Sequence, residues 1–247
     1  MGAPLGRTVG PARGRSLHGS TAIVVTGGDP PHPTVRDRLP TGATVIAADS
    51  GLDHAIALGL RVDRVVGDLD SVSPEALAAA ARAGTRIDRY PAAKDATDLE
   101  LALDAARRIA DRIVVVGGAA GRLDHLLGTA LLLGSPAYAE VEMVAYLGPA
   151  RIQVVRSQAV LAGTPGEQLS LLPLHGPAHG VSTAGLKYPL YKETLYPGST
   201  RGVSNEFTET TAEVRLSSGV LLAVAAGPAG HSGSASQAPV RTDEENA

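Results

Sequence analysis

Cysteine is absent from all 247 residues. That excludes disulfide frameworks, thiolate metal centres and cysteine nucleophiles together, and it fits a reducing cytoplasm. Tryptophan is absent as well, phenylalanine occurs once, and aromatic residues make up only 3% of the chain. A stacking platform for single-stranded nucleic acid needs more rings than this. The net charge of −3 gives no basic footprint for a nucleic acid partner either. No apolar run approaches the roughly 20 residues that a membrane helix requires, and the histidines show no HExxH-type zinc spacing. What remains is 44% hydrophobic and 19% charged residues, an ordinary globular balance whose core must be built from alanine, valine and leucine. The length suffices for one large domain or two modest ones.

The two ends differ from the middle. Residues 1–19 carry Arg7, Arg13 and Arg15 among glycine and proline, with no apolar segment behind them, and read as a disordered lead rather than a signal peptide. Residues 227–247 are rich in Gly, Ser, Ala and Pro, close on Asp243-Glu244-Glu245, and read as a disordered tail. Within 20–148, short apolar β-branched runs alternate with helix-forming stretches. Strands are expected over Ala22–Thr26, Thr44–Ala48, Arg64–Gly67, Thr85–Tyr90, Ile113–Gly117 and Val141–Tyr146. Helices are expected over Leu52–Leu58, Pro74–Ala83, Asp98–Ala110 and Leu123–Leu133. Pro74 suits a first helical turn capped by Ser73, and Thr97 with Glu100 has the form of a capping box. This alternation predicts a doubly wound, mostly parallel α/β domain. After a hinge at Gly148-Pro149, residues 150–226 hold short β-like runs separated by Gly, Pro and Ser, which predicts a smaller all-β sandwich.

The chemistry-bearing residues fall where the predicted strands end. In open α/β sheets ligands bind beyond those carboxyl ends, near the point where strand order reverses. Thr26-Gly27-Gly28-Asp29 follows the first strand and offers either backbone N–H groups to a phosphate or a plain turn. Asp49-Ser50-Gly51 follows the second; Asp49 either orients a nucleotide or caps the next helix. Gly67-Asp68-Leu69-Asp70-Ser71 follows the third. Residues i and i+2 of an extended segment share a side, so Asp68 and Asp70 can face one cation; alternatively they form a surface turn. Bare carboxylates repel a nucleotide phosphate, whereas magnesium takes one or two carboxylates together with phosphates. Asp95 and Asp98 straddle a helix start in Lys94-Asp95-Ala96-Thr97-Asp98, a place that favours acids with or without a function. Gly117–Gly121 is a glycine-rich turn into a helix, an anion-binding geometry unlike GxGxxG. It is followed by Arg122, suited to a phosphate oxygen, then Asp124, and by His125, which reads as a packing or hydrogen-bonding residue.

Taken in order, Asp49-Ser50-Gly51, Gly67–Ser71, Lys94–Glu100 and Gly121–His125 resemble the thiamine pyrophosphokinase family. The likeness runs from about Ile23 through Gly185-Leu186-Lys187-Tyr188 and Val203-Ser204-Asn205-Glu206. It implies an α/β nucleotide domain followed by a β-sandwich, working as a homodimer with sites at the subunit interface. It also implies transfer of pyrophosphate from ATP to the thiamine hydroxyl, giving thiamine diphosphate and AMP. By motif, Asp68, Asp70 and Asp98 would hold Mg2+; Gly27, Gly28, Asp49, Lys94, Asp95, Thr97 and Arg122 would surround ATP. Asp124, Tyr188, Ser204 and Asn205 would meet thiamine, with Asp70, Asp98, Arg122 and Asp124 carrying the chemistry. Tyr188 stands where the family often has Trp, and Thr129 where Asn is common; Tyr191–Arg201 is an insertion. Asp98 and Asp124 both qualify as proton acceptor. The alternatives are a pyrophosphokinase of the same fold acting on another alcohol, such as a pterin, and a non-catalytic nucleotide-binding regulator.

Overall fold

The computed structural model describes residues 19–227, so the expectations for residues 1–18 and 228–247 lie outside the described residues. The described chain divides into two compact units.

The first unit holds the described residues up to Gly27, together with Arg36–Val115 and Glu140–Met143. Its elements are β1 (Thr21–Val25), β2 (Thr44–Ala48), α1 (Gly51–Ala57), β3 (Arg64–Gly67), α2 (Pro74–Arg82), β4 (Arg86–Arg89), α3 (Asp98–Ala106) and the start of β5 (Arg112–Gly117). The strands lie in the order β5-β1-β2-β3-β4, and β1–β2, β2–β3 and β3–β4 are parallel. Ala22–Val25 and Val45–Ala48 are buried without a break, as expected of parallel strands covered on both faces. Helix α1 packs on β1 and β2 and meets α2, while α3 packs on β1, β2 and β3. The α1 and α2 connections step one way along the sheet, and α3 returns to the far side of β1. Right-handed crossovers in opposite directions put their helices on opposite faces, which makes the unit doubly wound. At the edge, Asp88 of β4 pairs with Arg64 and Arg86, a charged margin that discourages strand addition.

The second unit holds Gly28–Val35, Val116–Ala139 and the chain from Val144 onward. It contains α4 (Leu123–Leu133), the larger part of β6 (Glu142–Leu147), β7 (Ala150–Val155), β8 (Gln158–Ala162), β9 (Gln168–Pro173), β10 (Ala178–Ala184), β11 (Glu193–Leu195), β12 (Asn205–Glu206), β13 (Thr211–Arg215) and β14 (Leu221–Ala225). Antiparallel strands run β12-β9-β14-β7-β6 in one layer and β11-β10-β13-β8 in the other. Leu161, Leu169, Leu171, Val181, Phe207 and Val214 are among the buried residues between them. The alternating burial of β13, with Ala212 and Val214 in and Thr211 and Arg215 out, is the period-2 pattern of a one-faced strand.

Two expectations need correction, and two strands were not foreseen. Gly148-Pro149 is not a hinge but the two-residue turn of the β6–β7 hairpin, closed by the Leu147–Ala150 pair. Gly148 supplies the positive φ of 55° there, and glycine in the first central position suits such a turn. Helix α3 stops at Ala106 rather than Ala110. The insertion contributes β11, and the Ser204–Glu206 region contributes β12, two short strands without enough alternation to be read from sequence.

Candidate active site

In the first unit, four carboxylates gather where β2 and β3 end. Asp49 follows β2 directly. Its backbone N–H donates to the Val66 carbonyl at 2.9 Å, which ties it to β3, and its φ of +49° is a left-handed conformation that aspartate tolerates better than most residues. Helix α1 starts two residues later because Gly51 packs directly on β1: a Cβ there would stand 2.2 Å from the Val25 carbonyl oxygen. The capping alternative for Asp49 therefore fails. The N-cap is Ser50, and no side chain caps this helix.

Gly67 ends β3 with φ of +151°, and a Cβ on it would meet Asp98 Oδ1 at 3.0 Å and the Asp49 Cβ at 3.2 Å. Asp49 and Asp98 thus flank the point from which the next loop departs. The segment beyond is a turn, not the extended stretch expected from the i, i+2 spacing. Leu69 has φ of +65° and is buried, and the Asp70 N–H donates to Asp68 Oδ1 at 3.4 Å. The turn brings the carboxylates together by another route: oxygens of Asp49, Asp68 and Asp70 all lie within 4.8 Å of one another. Lys94 reaches in from the segment before α3, pairing with Asp98 Oδ1 at 3.0 Å and Asp68 Oδ2 at 3.5 Å. Thr97 caps α3 as expected, its hydroxyl accepting from the Glu100 N–H at 3.2 Å. Asp95 is exposed. Gly27 lies against Ser50, with the Ser50 Oγ 2.4 Å from where a Cβ would stand.

The electrostatics of this group are unbalanced. Burial pushes the Asp49 carboxyl above its ordinary range, and repulsion from Asp98, Asp68 and Asp70 pushes the same way against a backbone hydrogen bond at Ser50. Asp49 Oδ1 is buried with no hydrogen-bond partner. The Asp70 backbone N–H holds Asp68 below the usual range, and Lys94 adds to that. Burial works against the Lys94 charge, yet Asp98 and Asp68 outweigh it and raise the ammonium. One ammonium among four carboxylates leaves a deficit of positive charge, and oxygen donors in this number suit a hard divalent cation.

The other candidates lie in the second unit, in two places. Arg122 and Asp124 are exposed at the start of α4 and paired to each other, Nη2 to Oδ2 at 2.5 Å and Nε to Oδ1 at 3.1 Å. That pair lowers Asp124 and raises Arg122. The turn before them is less open to anions than its glycines suggest, because Asp29 Oδ2 is buried without a partner beside Gly121. Gly28 has φ of +87° with open space around it. His125 is exposed rather than packed. Along α4 only Leu133 is buried, while Leu123, Leu127 and Leu131 stand 66%, 56% and 51% exposed at i, i+4, i+8.

Tyr188, Ser204 and Asn205 line a cavity of about 470 Å3 together with Leu190, Arg201 and Val203. Tyr188 presents its ring at 55% exposure with the Lys187 ammonium 5.8 Å from its centre. Among the described residues Asn205 is the one buried polar residue, 3% exposed, and its amide is already engaged. Its Oδ1 accepts from the Tyr188 N–H at 3.0 Å and the Glu206 N–H at 2.9 Å, and its Nδ2 donates to the Tyr188 carbonyl at 2.7 Å. It grips both sides of the residue that carries the exposed ring. Arg201, which lines the cavity, and Glu193 form a two-pronged ion pair at 2.9 and 2.8 Å; both were missed from sequence because they fall in the insertion.

Comparison with known proteins leads to one family. Residues 37–145 match the family profile described as "Thiamin pyrophosphokinase, catalytic domain", and residues 151–221 match "Thiamin pyrophosphokinase, vitamin B1 binding domain". The chain is 28% identical over 191 residues to thiamine pyrophosphokinase of Bacillus subtilis, covering 72% of this chain and 85% of that one. The crystal structure of the thiamine pyrophosphokinase from Bacillus subtilis superposes with a TM-score of 0.74 at 25% identity, over 85% of this chain and all of that one. That from Geobacillus thermodenitrificans gives 0.70 at 28% identity, over 85% and 98%. The yeast protein, at 14% identity and a TM-score of 0.63 over 85% and 88%, shares the fold.

Proposed function

This chain belongs to the thiamin pyrophosphokinase family, and we infer from that premise that it is an ATP-dependent pyrophosphotransferase making thiamine diphosphate and AMP from ATP and thiamine. The observation that carries the reading at the level of chemistry is the gathering of Asp49, Asp68, Asp70 and Asp98 around Gly67. The thiamine hydroxyl oxygen attacks the β-phosphorus of ATP in line. A new oxygen–phosphorus bond forms, the bond between the β-phosphorus and its bridge oxygen to the α-phosphorus breaks, AMP departs with that oxygen, and the hydroxyl proton passes to Asp98, the acceptor left once Asp124 is tied to Arg122. Positioning and charge neutralisation dominate phosphoryl transfer of this kind.

We assign Asp68, Asp70 and Asp98, joined by Asp49, to hold magnesium on the triphosphate. The buried, unpartnered Asp49 Oδ1 and the shortage of positive charge around it fit a cation of that hardness. When bound, the ion supplies charge neutralisation and a fixed geometry for phosphate oxygens. Lys94 and Arg122 stabilise the charge that develops on the phosphates, with Gly27, Gly28, Asp95 and Thr97 around the nucleotide. Asp124, kept acidic by Arg122, is a weak proton acceptor and is assigned to binding thiamine. Tyr188 offers a π-face to the cationic thiazolium ring, Ser204 borders the same cavity, and Asn205 acts by holding Tyr188. The cavity's volume is of the size that small-molecule sites occupy.

We further propose a homodimer with its sites at the subunit interface, acting in the cytoplasm where ATP is available. Support for the dimer is the leucine stripe on α4, an apolar helix face of the kind that marks an interaction surface. The test of function is incubation with Mg-ATP and thiamine, followed by chromatography. Thiamine diphosphate and AMP in equal amounts are expected. Formation of ADP, or turnover of a pterin alcohol in place of thiamine, overturns the assignment.

A further inference from the structure

The loop that carries Asp68 and Asp70 is pinned at both ends, and the residue that pins its far end belongs to none of the motifs read from sequence. Where the loop leaves β3, Asp49 N–H holds the Val66 carbonyl. Where it enters α2, Ser73 is held by Asp53 of α1: the Ser73 hydroxyl donates to Asp53 Oδ1 at 2.5 Å, and the Ser73 N–H donates to Asp53 Oδ2 at 3.3 Å. The same hydroxyl accepts from the Ala76 N–H at 3.2 Å, which makes Ser73 the N-cap of α2. Between the pins, Leu69 and Val72 turn inward and are buried while Asp70 stays exposed. Asp53 stands on the same rigid helix that begins next to Asp49, and that helix is seated on β1 through Gly51.

We propose that Asp53 is a positioning residue for the metal-triphosphate site. Through Ser73 it fixes the Asp68–Asp70 loop against the helix that fixes Asp49, so that carboxylates from two separate loops keep one spacing. A hydrogen bond to a charged acceptor is stronger than a neutral one. Outer-shell partners that orient metal ligands typically govern 10–100-fold in metal affinity. The inference rests on the metal assignment made above and deepens it.

The experiment measures Mn2+ binding to the full chain by electron paramagnetic resonance, in the presence of a non-hydrolysable ATP analogue. Wild type is compared with Asp53→Ala, Ser73→Ala, the double variant and Ser73→Thr, each checked for native circular dichroism. Each single alanine variant is expected to weaken Mn2+ about tenfold or more. The double variant should be no weaker than the worse single one, and Ser73→Thr, which keeps the hydroxyl, should restore affinity to near wild type. Activity of the alanine variants should recover at high Mg2+ with little change in the KM for thiamine. Folded Asp53→Ala and Ser73→Ala proteins that bind Mn2+ within twofold of wild type overturn the inference, because capping alone changes melting temperature and not metal affinity. If Asp53→Ala does not fold, Asp53→Asn takes its place under the same criterion. A wild type that binds no Mn2+ overturns the metal assignment itself, a result distinct from the other.

Discussion

Replacing Asn205 with alanine removes three hydrogen bonds at once and leaves three main-chain groups without their partner: the Tyr188 N–H, the Tyr188 carbonyl and the Glu206 N–H. Each such bond contributes about 0.5–1.5 kcal/mol net, and a buried orphaned group costs about 1–3 kcal/mol. Asn205 is 3% exposed, but the Tyr188 side chain beside it is half open to water, so the lower part of that range applies. A loss of about 3 kcal/mol follows. In a chain of this size about 1 kcal/mol moves the melting temperature by roughly 2–4 °C, which gives a fall of about 6–12 °C. Urea and thermal melts followed by far-ultraviolet circular dichroism measure it, with Val203→Ala, a partly exposed neighbour, expected to stay within about 0.5 kcal/mol. Placing the variant in a Tyr188→Trp background adds a local probe, since the native chain has no tryptophan. Thiamine should quench that single fluorophore, and Asn205→Ala should weaken the response. An Asn205→Ala protein within 0.5 kcal/mol of wild type would show that the amide does not hold Tyr188, and the reasoning about this cavity would fall with it.

Asp70→Asn should lower turnover by more than the roughly 10–100-fold attributed to outer-shell metal partners, with its melting temperature little changed; near-normal AMP release refutes the metal role. Asp49→Asn should melt higher than wild type in EDTA at pH 7–8. The sign follows from the raised carboxyl: the folded state holds the Asp49 proton more tightly than the unfolded chain, so stability is lost as pH rises above the ordinary value of 3.8 and through the higher folded one. The penalty grows with pH, and asparagine removes it while tolerating the left-handed backbone. An unchanged or lower melting temperature contradicts the burial and repulsion argument. Leu127→Glu, in the centre of the exposed α4 stripe, should shift sedimentation velocity from dimer to monomer; a wild type that sediments as a monomer at micromolar concentration removes the dimer.

The α/β unit was legible because its signals are local. Ser73-Pro74 and Thr97 cap the helices that follow them, and uninterrupted apolar runs such as Val45–Ala48 fill β2. The sandwich was legible from alternation, down to β13 at Thr211–Arg215. Its shortest strands, Glu193–Leu195 and Asn205–Glu206, are too brief to show a period, and long-range pairing alone defines them. The carboxylates of the candidate site could be picked out from their places after strands and, for Asp98, at a helix start. Their spacing could not, since Asp68 and Asp70 approach through a turn at Leu69 rather than through an extended segment. Asp53 escaped notice for a different reason: an acid in the first turn of a helix is favoured by the dipole whatever else it does. The Asn205 grip on Tyr188 joins positions 17 residues apart, a relation that no sequence window contains.

Lys94 gives the resting protein a counterion of its own. Its ammonium occupies the gap between Asp68 and Asp98, so the chain can complete its fold with the acidic rim partly offset before any inorganic ion arrives. Small metal-dependent domains that lack such a counterion stay unfolded until loaded. Chelators should therefore silence the protein without unravelling it.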